Sequence, residues 1–130
     1  MYLFKTSGAT FDSVIENQKH AFRGKPRDWH RGEIVLVSKN KKDLRLGEKQ
    51  IQYRMRLENI RELRPGESER YWPGTEGRWR YLVECTDTER LGRAFDLEDV
   101  LGPDAQGYKS VMTFKKFEPE HAQAIERRIG

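Results

Sequence analysis

The chain has a single cysteine, Cys85, among its 130 residues, so it can form no internal disulfide. Its three histidines, His20, His30 and His121, are far apart and none belongs to a His-Glu-x-x-His pattern. Glycine-rich phosphate loops, a Walker sequence and a Gly-x-Ser-x-Gly elbow are all missing. The zinc-deaminase signature needs a cysteine pair that this chain does not contain. Long apolar runs are lacking too: the longest, Ile34 to Val37, is far short of the roughly 20 residues that cross a bilayer. The opening residues Met1 to Lys5 lack the layout of a secretory leader. No catalytic residue, metal or cofactor is marked out, and the expected setting is the cytoplasm, away from membranes.

Apolar residues make up 35% of the chain and charged residues another 35%, which implies a lean core under a heavily charged surface. The length suits one domain over residues 1–130. A net charge of +4 is too small to identify a partner by itself, so placement matters more. Lys19, Arg23, Lys25, Arg27 and Arg31 stand against Asp28 alone in the first basic stretch. Lys39, Lys41, Lys42, Arg45, Lys49, Arg54 and Arg56 follow, against Asp43 and Glu48. Acids gather later, from Glu84 to Asp99, which suggests one positive face.

Hydrophobic periodicity outlines the elements. Tyr2 to Phe4 reads as a short strand, and Thr10 as the cap of a helix reaching Asn17. His20 to Gly32 reads as a loop, and Glu33 to Lys39 as a β-branched central strand. From Ile51 to Leu57 the residues alternate, placing Ile51, Tyr53, Met55 and Leu57 on one buried face and Gln52, Arg54 and Arg56 on the other. Arg64 to Gly77 reads as a second long loop, Trp79 to Cys85 and Lys109 to Phe114 as strands, and Leu97 to Leu101 as a helical turn closed by Gly102. Pro119 opens a final helix whose inner stripe is Ala122, Ile125 and Ile129. The expected class is α+β: a curved mixed sheet or small open barrel of about five or six strands, flanked by two or three short helices.

Two loops carry aromatics among charges. His20 to His30 sets Phe22 and Trp29 beside Arg23, Lys25 and Arg27, a mixture that supplies flat faces for bases and cations for phosphates. Either ring could equally anchor its loop to the core. Trp72 sits between two Pro/Gly turns, outside any strand pattern, and is expected to line a binding surface; Trp79 opens a strand and reads as core. Tyr71 fits either role. Cys85 lies on an apolar strand and reads as a small core residue. Arg54 and Arg56, with Lys41 and Lys42, form either a solvated sheet face or part of the same positive surface.

The order of these elements resembles the EVE and YTH branch of the PUA-like superfamily. The resemblance spans Tyr2-Leu-Phe-Lys5-Thr-Ser7, the Phe22 loop, Gly32-Glu-Ile-Val-Leu-Val-Ser38, the alternating strand, the Trp72 loop leading to Arg78-Trp-Arg-Tyr-Leu-Val83, and the end from Gly107 through Ile125. It implies a module without enzymatic activity that holds an extruded, modified base in an aromatic pocket. Phe22 and Trp72 match its walls, Lys5 and Ser7 the end of the first strand, Ser38 and Asn40 the end of the Gly-led strand, and Lys109 and Ser110 a phosphate-contacting region. YTH readers use several tryptophans, whereas the first wall here is Phe22; Trp29 is the alternative. The basic loop (Arg23, Lys25, Arg27) and Lys41 with Lys42 would complete the phosphate contacts. The resemblance extends to targeting modules of modification-dependent restriction systems, including McrB-like and EVE–HNH proteins. It therefore implies a monomeric reader of modified duplex DNA with a nuclease or AAA+ partner; the alternative is an RNA-binding module.

Overall fold

The computed structural model describes residues 1–109 and 113–129. Six strands, β1 (Tyr2–Thr6), β2 (Lys19–Phe22), β3 (Ile34–Lys39), β4 (Ile51–Glu62), β5 (Tyr81–Phe95) and β6 (Phe114–Lys116), form one sheet in the order β2-β5-β4-β3-β1-β6. β1 runs parallel to β3, and the other neighbours are antiparallel. The sheet curls into a half-barrel, which makes this the expected PUA-like α+β fold. The flanking segments are α1 (Gly8–Asn17), α2 (Glu67–Tyr71), α3 (Leu97–Leu101), α4 (Gln106–Lys109) and α5 (Pro119–Ile129). No described helix is long and apolar enough to cross a membrane.

Side chains alternate across a strand, so the sheet serves two cores. Tyr2, Phe4, Val35, Val37 and Phe22 enter one, which α1 covers through Phe11 and Val14. Leu3 and Leu36 enter the other, with Phe95, Leu101, Tyr108 and Ile125. Bulges interrupt the β4–β5 ladder at three points, bending and twisting the two longest strands. One of them, between Ile51 and Tyr53, splits the expected single face: Tyr53, Met55 and Leu57 belong to the first core and Ile51 to the second. A shift of register moves a side chain to the opposite face, and no period-two reading contains it.

Other departures have local causes. α1 begins at Gly8, and Ser7 rather than Thr10 stands at its N-cap position. Gln18 ends α1 in a left-handed conformation (φ 54°), which turns the chain directly into β2 where a loop was expected. That conformation is held by the Gln18 carbonyl, which accepts from the Cys85 N–H at 2.8 Å, and by its side-chain oxygen, which accepts from the Thr88 hydroxyl at 2.8 Å. α2 lies within the second expected loop, and β5 runs on through the acidic stretch to Phe95. Lys109 ends α4 instead of opening a strand, and β6 starts only at Phe114. Ser110, Val111 and Met112 lie outside the described residues.

α5 docks on the second core through Ile125, which is fully buried. Ile125→Ala removes that anchor and is expected to cost about 2–5 kcal/mol of stability, read as a lower urea midpoint at unchanged slope.

Candidate functional site

The ends of β1 and β3, the start of α1, strand β2 and the loop before β5 meet around one cavity of about 240 Å³. His20, Ala21 and Phe22 on β2 form one side, and Thr75, Arg78 and Trp79 another. Lys5, Thr6, Ser7, Thr10 and Asn40 close the third, next to Thr113.

Backbone bonds fix this third side. The Asn40 N–H donates to the Thr6 carbonyl at 3.0 Å, tying the end of β3 to the end of β1. The carboxylate of Asp43 accepts from the Gly8 N–H at 2.9 Å, satisfying an unpaired donor at the start of α1. A Cβ on Gly8 would lie 2.9 Å from that of Asp43, so only glycine permits the approach. The Ser7 and Thr10 hydroxyls, 3.1 Å apart, face the cavity as a pair.

The loop bearing the opposite wall is held by carboxylates. Glu67 accepts from the two terminal guanidinium nitrogens of Arg61 at 2.7 Å and from the Arg64 N–H at 2.6 Å, and the Arg61 hydrogen bonds pull its pKa down to about 2. Glu69 accepts from the Gly74 N–H at 2.9 Å and the Glu76 N–H at 3.2 Å. The Ser68 and Thr75 hydroxyls, 2.7 Å apart, lock the start of the loop to its end. Trp79 then stands half-buried at the cavity, braced edge-to-face by Trp72 with ring centres 5.4 Å apart.

His20 is buried and uncharged. Its Nδ1 accepts from the Ala21 N–H at 2.9 Å, so Nε2 carries the proton and donates to the Lys5 carbonyl at 3.0 Å. Burial pushes its pKa down to about 4. With both nitrogens occupied, the ring serves as a wall. Burial also lowers the pKa of Lys5, whose ammonium donates to the Lys109 carbonyl at 2.9 Å. Lys5 and Asn40 are shared with an adjoining hollow of about 230 Å³, which Lys41 and Lys109 also line. Glu98 holds both of those lysines, Lys41 at 3.1 Å and Lys109 in close contact, and the hydrogen bond from Lys109 drops its pKa to about 2.

Of the expected site residues, Phe22, Lys5, Ser7 and Asn40 line the cavity. Phe22 does so from within the core, packed against Phe4 and Phe114. Trp72 does not line it: the ring is 4% exposed, behind His20 and Trp79, because its loop folds back on itself. Trp79, read as core, takes that place. Trp29 packs against the first core and lines a different, open hollow with Lys19 and Cys85. Ser38 is buried, and its carbonyl accepts from the Thr6 hydroxyl at 3.0 Å. Arg23, Lys25, Arg27 and Lys42 are exposed and line no described cavity; Arg23 donates to the Arg78 carbonyl at 3.0 Å, behind the cavity wall. Arg54 pairs with Glu89 at 3.0 Å and Arg56 donates to the Gly32 carbonyl at 3.0 Å, as expected of an ordinary sheet face. His20, Thr75 and Arg78 were not anticipated. A histidine in a strand and a threonine and an arginine in a polar loop carry no local mark of convergence.

The arrangement defines a recessed pocket in which the rings of His20, Phe22 and Trp79 meet hydroxyl and amide side chains, with cations at one end, built on the curled sheet. No known family profile and no curated protein sequence matches the chain. Among solved structures, ASCH from Zymomonas mobilis matches with a TM-score of 0.65 at 11% identity, over 97% of this chain and 93% of that one. A serine-to-alanine variant of the same protein matches with a TM-score of 0.66 at 10% identity, over 99% and 96% of the two chains. A tyrosine-to-phenylalanine variant gives 0.65 at 10% identity, over 97% and 96%. At these identities the likeness is one of fold.

The state of His20 makes stability pH-dependent. A folded-state pKa of about 4, below the ordinary 6.5, means that the unfolded chain binds the proton first. Stability is complete above pH 6.5 and is lost as the pH falls towards 4, by an amount on the order of 3 kcal/mol. His20→Gln is expected to flatten that slope in urea denaturation between pH 4 and 6.5. Loss of Glu67 and Glu98 interactions begins only below their ordinary value of 4.5.

Proposed function

We propose that this domain binds nucleic acid by taking one unstacked base into the cavity between Phe22 and Trp79. The observation that carries the proposal is a half-buried indole facing hydroxyl and amide groups, with cations at the adjoining end. An indole stacks on any base, Ser7, Thr10 and Asn40 can pair with base edges, and lysines meet the phosphate. A cavity of about 240 Å³ lies below the roughly 300 Å³ where pockets for drug-sized ligands begin, which suits one planar ring system. The domain acts as a binder and not an enzyme: His20 is tied at both nitrogens, and burial pushes the Cys85 thiol up to about 12.

The finer reading concerns which nucleic acid. With Trp72 outside the cavity, an aromatic cage around a methyl group loses one of its two expected walls, the alternative Trp29 lies outside as well, and hydrogen-bonding groups dominate the rim. Single-stranded RNA offers unstacked bases without the few kcal/mol that flipping costs. The resemblance to EVE and YTH domains favours instead a flipped, modified base in duplex DNA. On that reading the domain is a cytoplasmic, monomeric targeting module for a nuclease or AAA+ partner.

Competition at one fixed salt concentration separates the two. The arms are single-stranded RNA and DNA of one sequence, and duplexes carrying 5-methylcytosine, 5-hydroxymethylcytosine, N6-methyladenine or no modification. Under either reading Trp79→Leu, which keeps apolar packing but removes the flat face, is expected to weaken binding roughly 5- to 100-fold. Trp72→Phe is expected to leave affinity near wild type. Undiminished binding by Trp79→Leu would sink the proposal.

A further inference from the structure

We infer that the site accepts two consecutive nucleotides, the second base lodging in a separate hollow that Trp79 also lines. The inference rests on the reading of the first cavity as a base site. The second hollow, about 380 Å³, is lined by Leu63, Arg64, Pro65, Glu76 and Arg80 as well as Trp79. Trp79 also lines the first cavity, and it is the side chain the two have in common. An indole has two faces, and each can stack a base.

One base in each hollow places the ring between neighbours in the strand. The bases then stand about 7 Å apart, twice the 3.4 Å stacked rise. An extended single strand reaches that spacing, and a continuous stack does not. The linking phosphate passes Arg78, the cation that precedes Trp79 and lines the first cavity. The Arg78 guanidinium lies over the Trp79 ring, 5.9 Å from its centre, and gives up that contact when a base stacks there.

Charge assigns the two ends different tasks. In the second hollow Arg64 and Arg80 are offset by Glu62 and Glu76, and Arg80 is already paired with Glu62 at 3.1 Å. A near-neutral hollow suits a base more than a phosphate, and its carboxylates accept hydrogen bonds from exocyclic amines. The phosphate-seeking end is the hollow of Lys5, Lys41 and Lys109, on the other side of the first cavity. The strand therefore runs from the lysines, through the first base and around Trp79, to an amine-bearing second base.

Calorimetric titration of the intact chain with nucleoside monophosphates and with dinucleotides that keep the same terminal phosphate, in ribose and deoxyribose form, tests this. The dinucleotide is expected to bind at least tenfold tighter than the monophosphate, with cytosine or adenine in the second position above uracil or thymine. Arg64→Ala/Arg80→Ala alters exposed side chains only, and is expected to abolish that gain while leaving monophosphate binding unchanged. If monophosphates bind and the dinucleotide gains nothing, or its gain survives in the double variant, the second subsite is overturned while the base site stands. If neither ligand binds, both are overturned.

Discussion

The antiparallel pairing of β2 with the start of β5 is the contact on which the candidate site depends. It sets Phe22 opposite Tyr81 and His20 opposite Val83, and the Arg80 N–H extends the ladder to the Phe22 carbonyl at 3.1 Å. The cavity wall that ends in Trp79 is thereby fixed against its floor. β2 is only four residues long, so this edge is held by few bonds. The Gln18 turn before it, and the packing of Phe22 against Phe4 and Phe114 behind it, supply the remaining constraint.

Around that contact, charge is spent on building the site as much as on binding. Carboxylates hold the Trp79-bearing loop, and one carboxylate, Glu98, holds two lysines of the adjoining hollow. The basic excess read along the chain is thus partly paired within the fold, where Arg31, Lys39, Lys41, Lys49 and Arg54 each meet a carboxylate. Left without a carboxylate partner among the described residues are the exposed Arg23, Lys25, Arg27 and Lys42, while beside the recessed cavity, where Lys5 also stands, Lys41 and Lys109 share the single carboxylate of Glu98.

Much of this was legible beforehand. Alternation predicted β4 with its basic outer face, the β-branched run predicted β3, and Pro119 with the Ala122, Ile125 and Ile129 stripe predicted α5. Lys5, Ser7, Phe22 and Asn40 were picked out by the resemblance to EVE and YTH domains, and they meet at one cavity. The tryptophans were read in the wrong order. Loop position suggested that Trp72 was free and strand position that Trp79 was buried, but α2 folds the loop back so that Trp72 goes in and Trp79 stays at the rim.

By itself the sequence determined that Tyr53, Met55 and Leu57 share a strand face, where the last helix starts, and that no internal disulfide is available, because these follow from local periodicity, backbone stereochemistry and composition. Tertiary structure alone decided which ring meets the cavity, which core receives Ile51, and which cations are already paired. Those outcomes depend on register between strands tens of residues apart. A single bulge or turned loop reverses a side chain's face there without leaving any mark in the local pattern.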